Sequence, residues 1–181
     1  VTPKSAELAK KLYEITPGDL SKTFFCQGGS EANESSLKLA QAYHVRNGEK
    51  GRFKVISRIG SYHGSTYGTM WLGGHPGFPR TDYQPSPNNI IHVRQPDFYR
   101  KNYDAENIEE FTDNCIKEIE EKILFNGPES ISCFIGEPVS QPLGGVVPHE
   151  SYWPRVRELC DRYGILLIFD EVITGFGRIG E

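Results

Sequence analysis

The stretch FFCQGGSEANESSLKLAQAYHVRNG, residues 24–48, joins a short apolar run to a long polar segment through two glycines and a serine. Lys22–Cys26 reads as a strand. The good helix formers beyond it predict a helix over Ser30–Arg46, with Ala32, Leu37, Ala40 and Tyr43 on its apolar stripe and Asn47-Gly48 as its stop. A strand that turns through glycines straight into a helix leaves backbone N–H groups unpaired where the helix dipole favours negative charge. Gly28, Gly29 and Ser30 are thus a candidate anion cradle. The plain alternative is a glycine turn with Ser30 as N-cap.

Working outward, strands and helices alternate. Ala6–Ile15 carries Leu8, Leu12 and Ile15 at helical spacing and ends at Pro17-Gly18. Phe53–Ser57 and Ile90–Val93 read as strands, Gly64–Trp71 as a short helix, and residues 73–89 as a Pro/Gly-rich loop long enough to suggest a lid or rim. Ala105–Phe125 predicts an amphipathic helix, Ile131–Gly136 a buried strand, Tyr152–Tyr163 a helix and Ile165–Asp170 a second buried strand. The pattern predicts an α/β fold, a mostly parallel sheet covered by helices on both faces.

The 181 residues are 37% hydrophobic, enough for one sizeable core. A formal net charge of −4 without a basic block argues against nucleic acid or an anionic membrane as partner and leaves a small molecule. Cys26, Cys115, Cys133 and Cys160 are scattered, with no CxxC pair and no histidine at metal spacing, so neither a metal site nor a disulfide framework is indicated. A reducing compartment is expected: the cytoplasm, with the mitochondrion left open. The chain opens on VTPKSAELAK without Met and closes on GFGRIGE, and is expected to be a fragment.

In such sheets ligands lie beyond the carboxyl ends of the strands. Four predicted strand ends carry chemistry: Gly28-Gly29-Ser30; Tyr62-His63 in a glycine-flanked loop; Glu137 after Ile131–Gly136; and Asp170 after Ile165–Phe169. Tyr62 and His63 could stack on a planar ring or cap the core edge. A carboxylate at the tip of an apolar strand is costly to bury alone, so Asp170 is expected to face a cation or a strong donor. The glycines match neither the P-loop nor GxGxxG, which argues against a nicotinamide dehydrogenase. A phosphate cradle, an aromatic ring and a carboxylate able to keep a ring nitrogen protonated are together what a pyridoxal phosphate site needs.

GGSEAN, YHG, GEPV and LLIFDEVITGFGR, in this order from about Phe24 to Gly180, resemble the class III aminotransferases, or omega-transaminases, of the fold-type I pyridoxal phosphate enzymes. The resemblance implies pyridoxal 5′-phosphate as cofactor and a homodimer. It also implies transfer of an amino group between an amine or omega-amino acid and a 2-oxo acid. Gly29 and Ser30 would bind the cofactor phosphate, with Gly28 allowing the turn. Tyr62 and Val172 would cover the two ring faces, Asp170 would pair with the ring nitrogen, and Glu137 would lie near the ring and the substrate entrance. His63 accompanies Tyr62. Trp71 and the 73–89 loop are expected to form a pocket wall, and Arg178 to be a structural loop residue with a salt bridge. The family's Gln three residues after the Glu is Ser140 here, and its Schiff-base lysine, roughly thirty residues past the aspartate, has no counterpart among the ten lysines, all of which precede Asp170. Residues 1–181 are therefore expected to be part of the large cofactor-binding domain, without the lysine segment and the small C-terminal domain. An aminomutase or decarboxylase on the same scaffold, or a non-catalytic binding domain, stands as the alternative.

Overall fold

The structure, a computed structural model, describes residues 2–75, 77, 78, 80–83, 86–100 and 103–180. Four strands, β1 (Lys54–Arg58), β2 (Ile90–Val93), β3 (Ile131–Gly136) and β4 (Leu166–Phe169), form one parallel sheet in the order β2-β1-β3-β4. All four therefore deliver their carboxyl ends to one edge. Helices α1 (Pro3–Ile15), α2 (Gly29–Arg46), α3 (Ile108–Asn126) and α4 (Tyr152–Tyr163) complete the fold.

Period-2 alternation divides the side chains of the central strands between two faces. Ile56 of β1 and Phe134 of β3 join Phe111, Ile119 and Ile123 of α3 and Val156 and Leu159 of α4 in the larger core. Val55, Cys133 and Ile135 point the other way, into a smaller core with Ala40 of α2 and Leu72. Every residue of β3 is buried, Ser132 included, as expected of a buried strand. α4 buries Tyr152, Val156, Leu159 and Cys160, the spacing of a single helix face, and stops at Gly164, whose φ of 66° suits glycine. α3 starts at Ile108 rather than Ala105 because the Asn107 side chain accepts a hydrogen bond from the Glu110 N–H at 2.8 Å and caps the helix there.

Several expectations fail for tertiary reasons. Lys22–Cys26 forms no strand: it pairs with none of the four, and Phe24 and Phe25 stand exposed. β4 is an edge strand among the described residues, so its apolar side chains are only partly buried and Phe169 is exposed. Gly64–Trp71 yields only a 3-10 turn at Thr69–Trp71, because Glu34 reaches over from α2 and accepts from the Gly68 and Thr69 N–H groups and the Thr66 hydroxyl. On α2, Ala40 is buried as expected, but Tyr43 is exposed, and Asn33 and His44 complete the buried face. His44 Nε2 lies 2.9 Å from the Ser132 carbonyl of β3, which fastens α2 to the sheet. α1 buries none of its residues, leaving Leu8 and Ile15 exposed. Residues 76, 79, 84 and 85 of the 73–89 loop lie outside the described residues.

Ile135 is wholly buried between the sheet and α2. We expect Ile135→Ala in the intact protein to cost about 2–5 kcal/mol, read as a lower urea midpoint at unchanged slope.

Candidate functional site

At the carboxyl edge of the sheet a cleft of about 610 Å³ opens between the start of α2, the loop after β1 and the segments that follow β3 and β4. Gly29, Ser30, Tyr62, His63, Glu137, Asp170 and Val172 all line it. Gly28 lies just behind, as the N-cap of α2. The segment after β4 reaches this edge because the Asp170 N–H continues the ladder, donating to the Gly136 carbonyl at 3.0 Å.

Ser30 is not the helix cap. Gly28 takes that place in an extended conformation and offers no side chain, so the first N–H groups of α2 receive no side-chain acceptor from the cap. The Ser30 hydroxyl is engaged elsewhere, accepting from the Ser65 N–H at 3.1 Å. Gly29 makes room for Val172: a Cβ there would stand 2.7 Å from Val172 Cγ2. A bulky residue at 29 would first displace the wall of the cleft.

Asp170 is 6% exposed and has the strong donors expected of a buried carboxylate. His63 Nδ1 lies 2.8 Å from its Oδ2, Asn33 Nδ2 donates to the same oxygen at 2.8 Å, and the Val172 N–H donates to Oδ1 at 3.2 Å. Burial pushes the carboxyl up, but the bond and charge of His63, the Val172 N–H and Asn33 together outweigh it and hold Asp170 below the ordinary value. Asn33, which the sequence reading passed over, also donates to the His63 carbonyl at 2.8 Å and so fixes both members of the pair. Its signal was a polar residue one turn into α2, on the face that turns inward.

Glu137 is held differently. Arg58, the last residue of β1 and 1% exposed, donates from Nη2 to the Glu137 carbonyl at 2.5 Å and to Oε2 at 3.3 Å, with its guanidinium 5.0 Å from the Trp153 ring centroid. The Tyr62 N–H donates to Glu137 Oε1 at 3.3 Å and the Ser140 hydroxyl to Oε2 at 3.1 Å. Arg58 was legible by the same reasoning that picked out Asp170: a charge ending an apolar strand needs a partner. Ser140, where the family's glutamine was expected, is wholly buried on Glu137 and Gln95.

Two expectations about the rim change. Trp71 is buried and lines a separate cavity with Arg80 and His92, so it forms no wall of this cleft; His75 and Phe78 do. Arg178 is exposed and makes no ion pair among the described residues.

The family model of the class-III aminotransferases matches residues 2–181. The chain belongs to the class III aminotransferases. Among relatives of this class III chain, putrescine–pyruvate aminotransferase of Pseudomonas aeruginosa is 38% identical over 99% of the chain and 39% of its own length. Gamma aminobutyrate transaminase 2 of Solanum lycopersicum is 37% identical with the same coverage. An (S)-enantioselective omega-transaminase from Thermomicrobium roseum superposes with a TM-score of 0.93 at 42% identity, over 98% of this chain and 39% of that one. The chain thus spans about two fifths of the length of the relatives it matches, and its parallel sheet is that of the transaminase fold.

Two outcomes test this geometry in the intact protein. Arg58→Met should destabilise by about 3–5 kcal/mol, because it strands a buried carboxylate, and adding Glu137→Gln should recover part of the loss; chemical denaturation of the single and double variants reads both. The lowered folded value of Asp170 means that its contribution to stability is present above the ordinary aspartate range and lost as pH falls through that value. The Tm of Asp170→Asn should therefore fall less steeply than that of the parent as pH is lowered from about 5 through the acid range.

Proposed function

We propose that the intact protein transfers amino groups between an amine or omega-amino acid and a 2-oxo acid, with pyridoxal 5′-phosphate as cofactor. The observation that carries this reading is Asp170, a buried carboxylate kept ionised at the floor of a cleft whose other end is an uncapped helix start. An anion fixed inside low-dielectric surroundings suits a ligand with a protonated ring nitrogen, and a helix start without a side-chain cap suits a phosphate. The residues present fit such a ligand at both ends. The family match and the transaminase relatives support the same reaction class.

When bound, the cofactor supplies an aldehyde that takes up the amino group and a ring that delocalises the charge left when the substrate carbon gives up its proton. Asp170 would hold the ring nitrogen protonated, and the His63 and Asn33 bonds keep its carboxylate aimed and charged. The N–H groups at the start of α2 would take the phosphate. Tyr62 and Val172, which both line the cleft, would confine the ring and exclude water from its faces. Glu137 is held by Arg58, Ser140 and the Tyr62 N–H, so it shapes the entrance as a fixed anion. No lysine stands among the described residues lining the cleft. We also infer that the intact protein is a homodimer, a reading supported by the large apolar residues Tyr13, Ile15, Leu20 and Phe24 exposed on α1 and the segment after it.

The test is Asp170→Asn in the intact protein. A neutral amide cannot hold the ring nitrogen charged, so we expect turnover of an amine donor with pyruvate to fall at least a hundredfold while the fold, by circular dichroism, is retained. Near-normal turnover with cofactor bound would overturn the assignment.

A further inference from the structure

His75 sits at the cleft rim, and its two ring nitrogens have different partners. Nδ1 accepts from the Gly77 N–H at 3.0 Å, which leaves Nε2 to carry the proton and donate to the Pro142 carbonyl at 3.0 Å. One ring thus ties the loop after the 3-10 turn to the segment after β3, and both segments line the cleft. Phe78 packs against it at a tilt, with centroids 5.4 Å apart and ring planes at 56°, and Tyr62 packs on Phe78 at 4.8 Å and 32°. The three rings form a continuous tilted row that ends on Tyr62.

The loop is also tied down at its base. The Gly74 N–H donates to the Ser61 carbonyl at 3.3 Å, and a Cβ on Gly73 would stand 2.2 Å from that same oxygen, so the loop backbone lies directly against the residue preceding Tyr62. Arg80 adds a bond to the Gly73 carbonyl at 2.8 Å. A Cβ on Gly77 would stand 2.9 Å from the His75 ring, so a side chain there would displace the ring. Tyr62 itself is more than a third exposed and makes no hydrogen bond through its hydroxyl among the described residues. Its main chain is fixed by Glu137, and the neighbour that sets its ring plane is Phe78.

We propose that His75 is a positioning residue that, through Phe78, sets the plane of the Tyr62 ring against the cofactor. This rests on the proposed function, in which Tyr62 covers one face of the ring. The consequence is a division of labour. Asp170 and the start of α2 supply polar contacts, while the loop supplies an aromatic wall, and the His75 bond to the Pro142 carbonyl ties this wall to the segment after β3.

The experiment uses the intact protein and equilibrium dialysis of pyridoxamine 5′-phosphate, whose binding requires no covalent link, together with the induced circular dichroism of the bound ligand. His75→Ala and Phe78→Leu should each weaken binding by roughly threefold to tenfold, the scale of one lost aromatic contact, and should change the induced signal. His75→Gln, whose amide can still donate to the Pro142 carbonyl, should restore much of both. A role confined to loop stability would lower Tm in His75→Ala and Phe78→Leu yet leave affinity and induced signal as in the parent below the transition; with binding still lost in Tyr62→Ala, that result overturns the proposal and leaves the functional reading standing. Failure of the parent protein to bind the ligand at all would overturn both.

Discussion

The contact on which the site depends is the buried ion pair between Arg58 at the tip of β1 and Glu137 just past β3. Adjacent central strands with apolar side chains on both faces leave no room for charge within the sheet, so charge collects where the strands end. There it must be matched, since a single charge in that environment costs several kcal/mol. Arg58 matches Glu137 through both its carbonyl and its carboxylate, and the remaining carboxylate oxygen reaches the Tyr62 backbone. One pair therefore holds together the loop after β1 and the segment after β3, and the cleft is the space between those segments and α2.

The second polar cluster is built on the same logic with a different outcome. Asp170 is surrounded by donors that hold its carboxyl below the ordinary value, and like Glu137 it lines the cleft. Arg58 saturates its partner and makes a rigid corner. His63 and Asn33 orient theirs and leave a charged group facing the ligand space. Two carboxylates at neighbouring strand ends thus acquire different duties from their environments, one shaping the entrance and the other addressing what enters.

The rim adds a contrast in materials. The floor of the cleft is polar and made by strand ends and a helix start, elements whose positions the sheet dictates. The wall is aromatic and made by a loop whose position is set by a few bonds to neighbouring backbone. Such a wall can change without disturbing the strand order beneath it, because loops tolerate substitution better than the elements they join.

By itself the sequence determined the class of fold and the places where chemistry gathers. The runs Ile131–Gly136 and Tyr152–Tyr163 are legible to the residue, since a short, largely apolar run and a one-faced helical stripe are local signals. Gly29, Tyr62, Glu137 and Asp170 stand out because each follows an apolar run at the end where ligands bind. What only the tertiary structure decided is pairing. Lys22–Cys26 has strand composition but no neighbour to bond to, and Ser30 has the chemistry of a cap but faces Ser65. Trp71 turns inward to the core while His75 and Phe78 turn to the rim. That Asn33 and His63 converge on Asp170 from residues more than a hundred positions away is a contact of high sequence separation, and no local periodicity carries it. Composition along the chain reports burial and turn chemistry, whereas hydrogen-bond partners are set by which segments the parallel sheet brings to one edge.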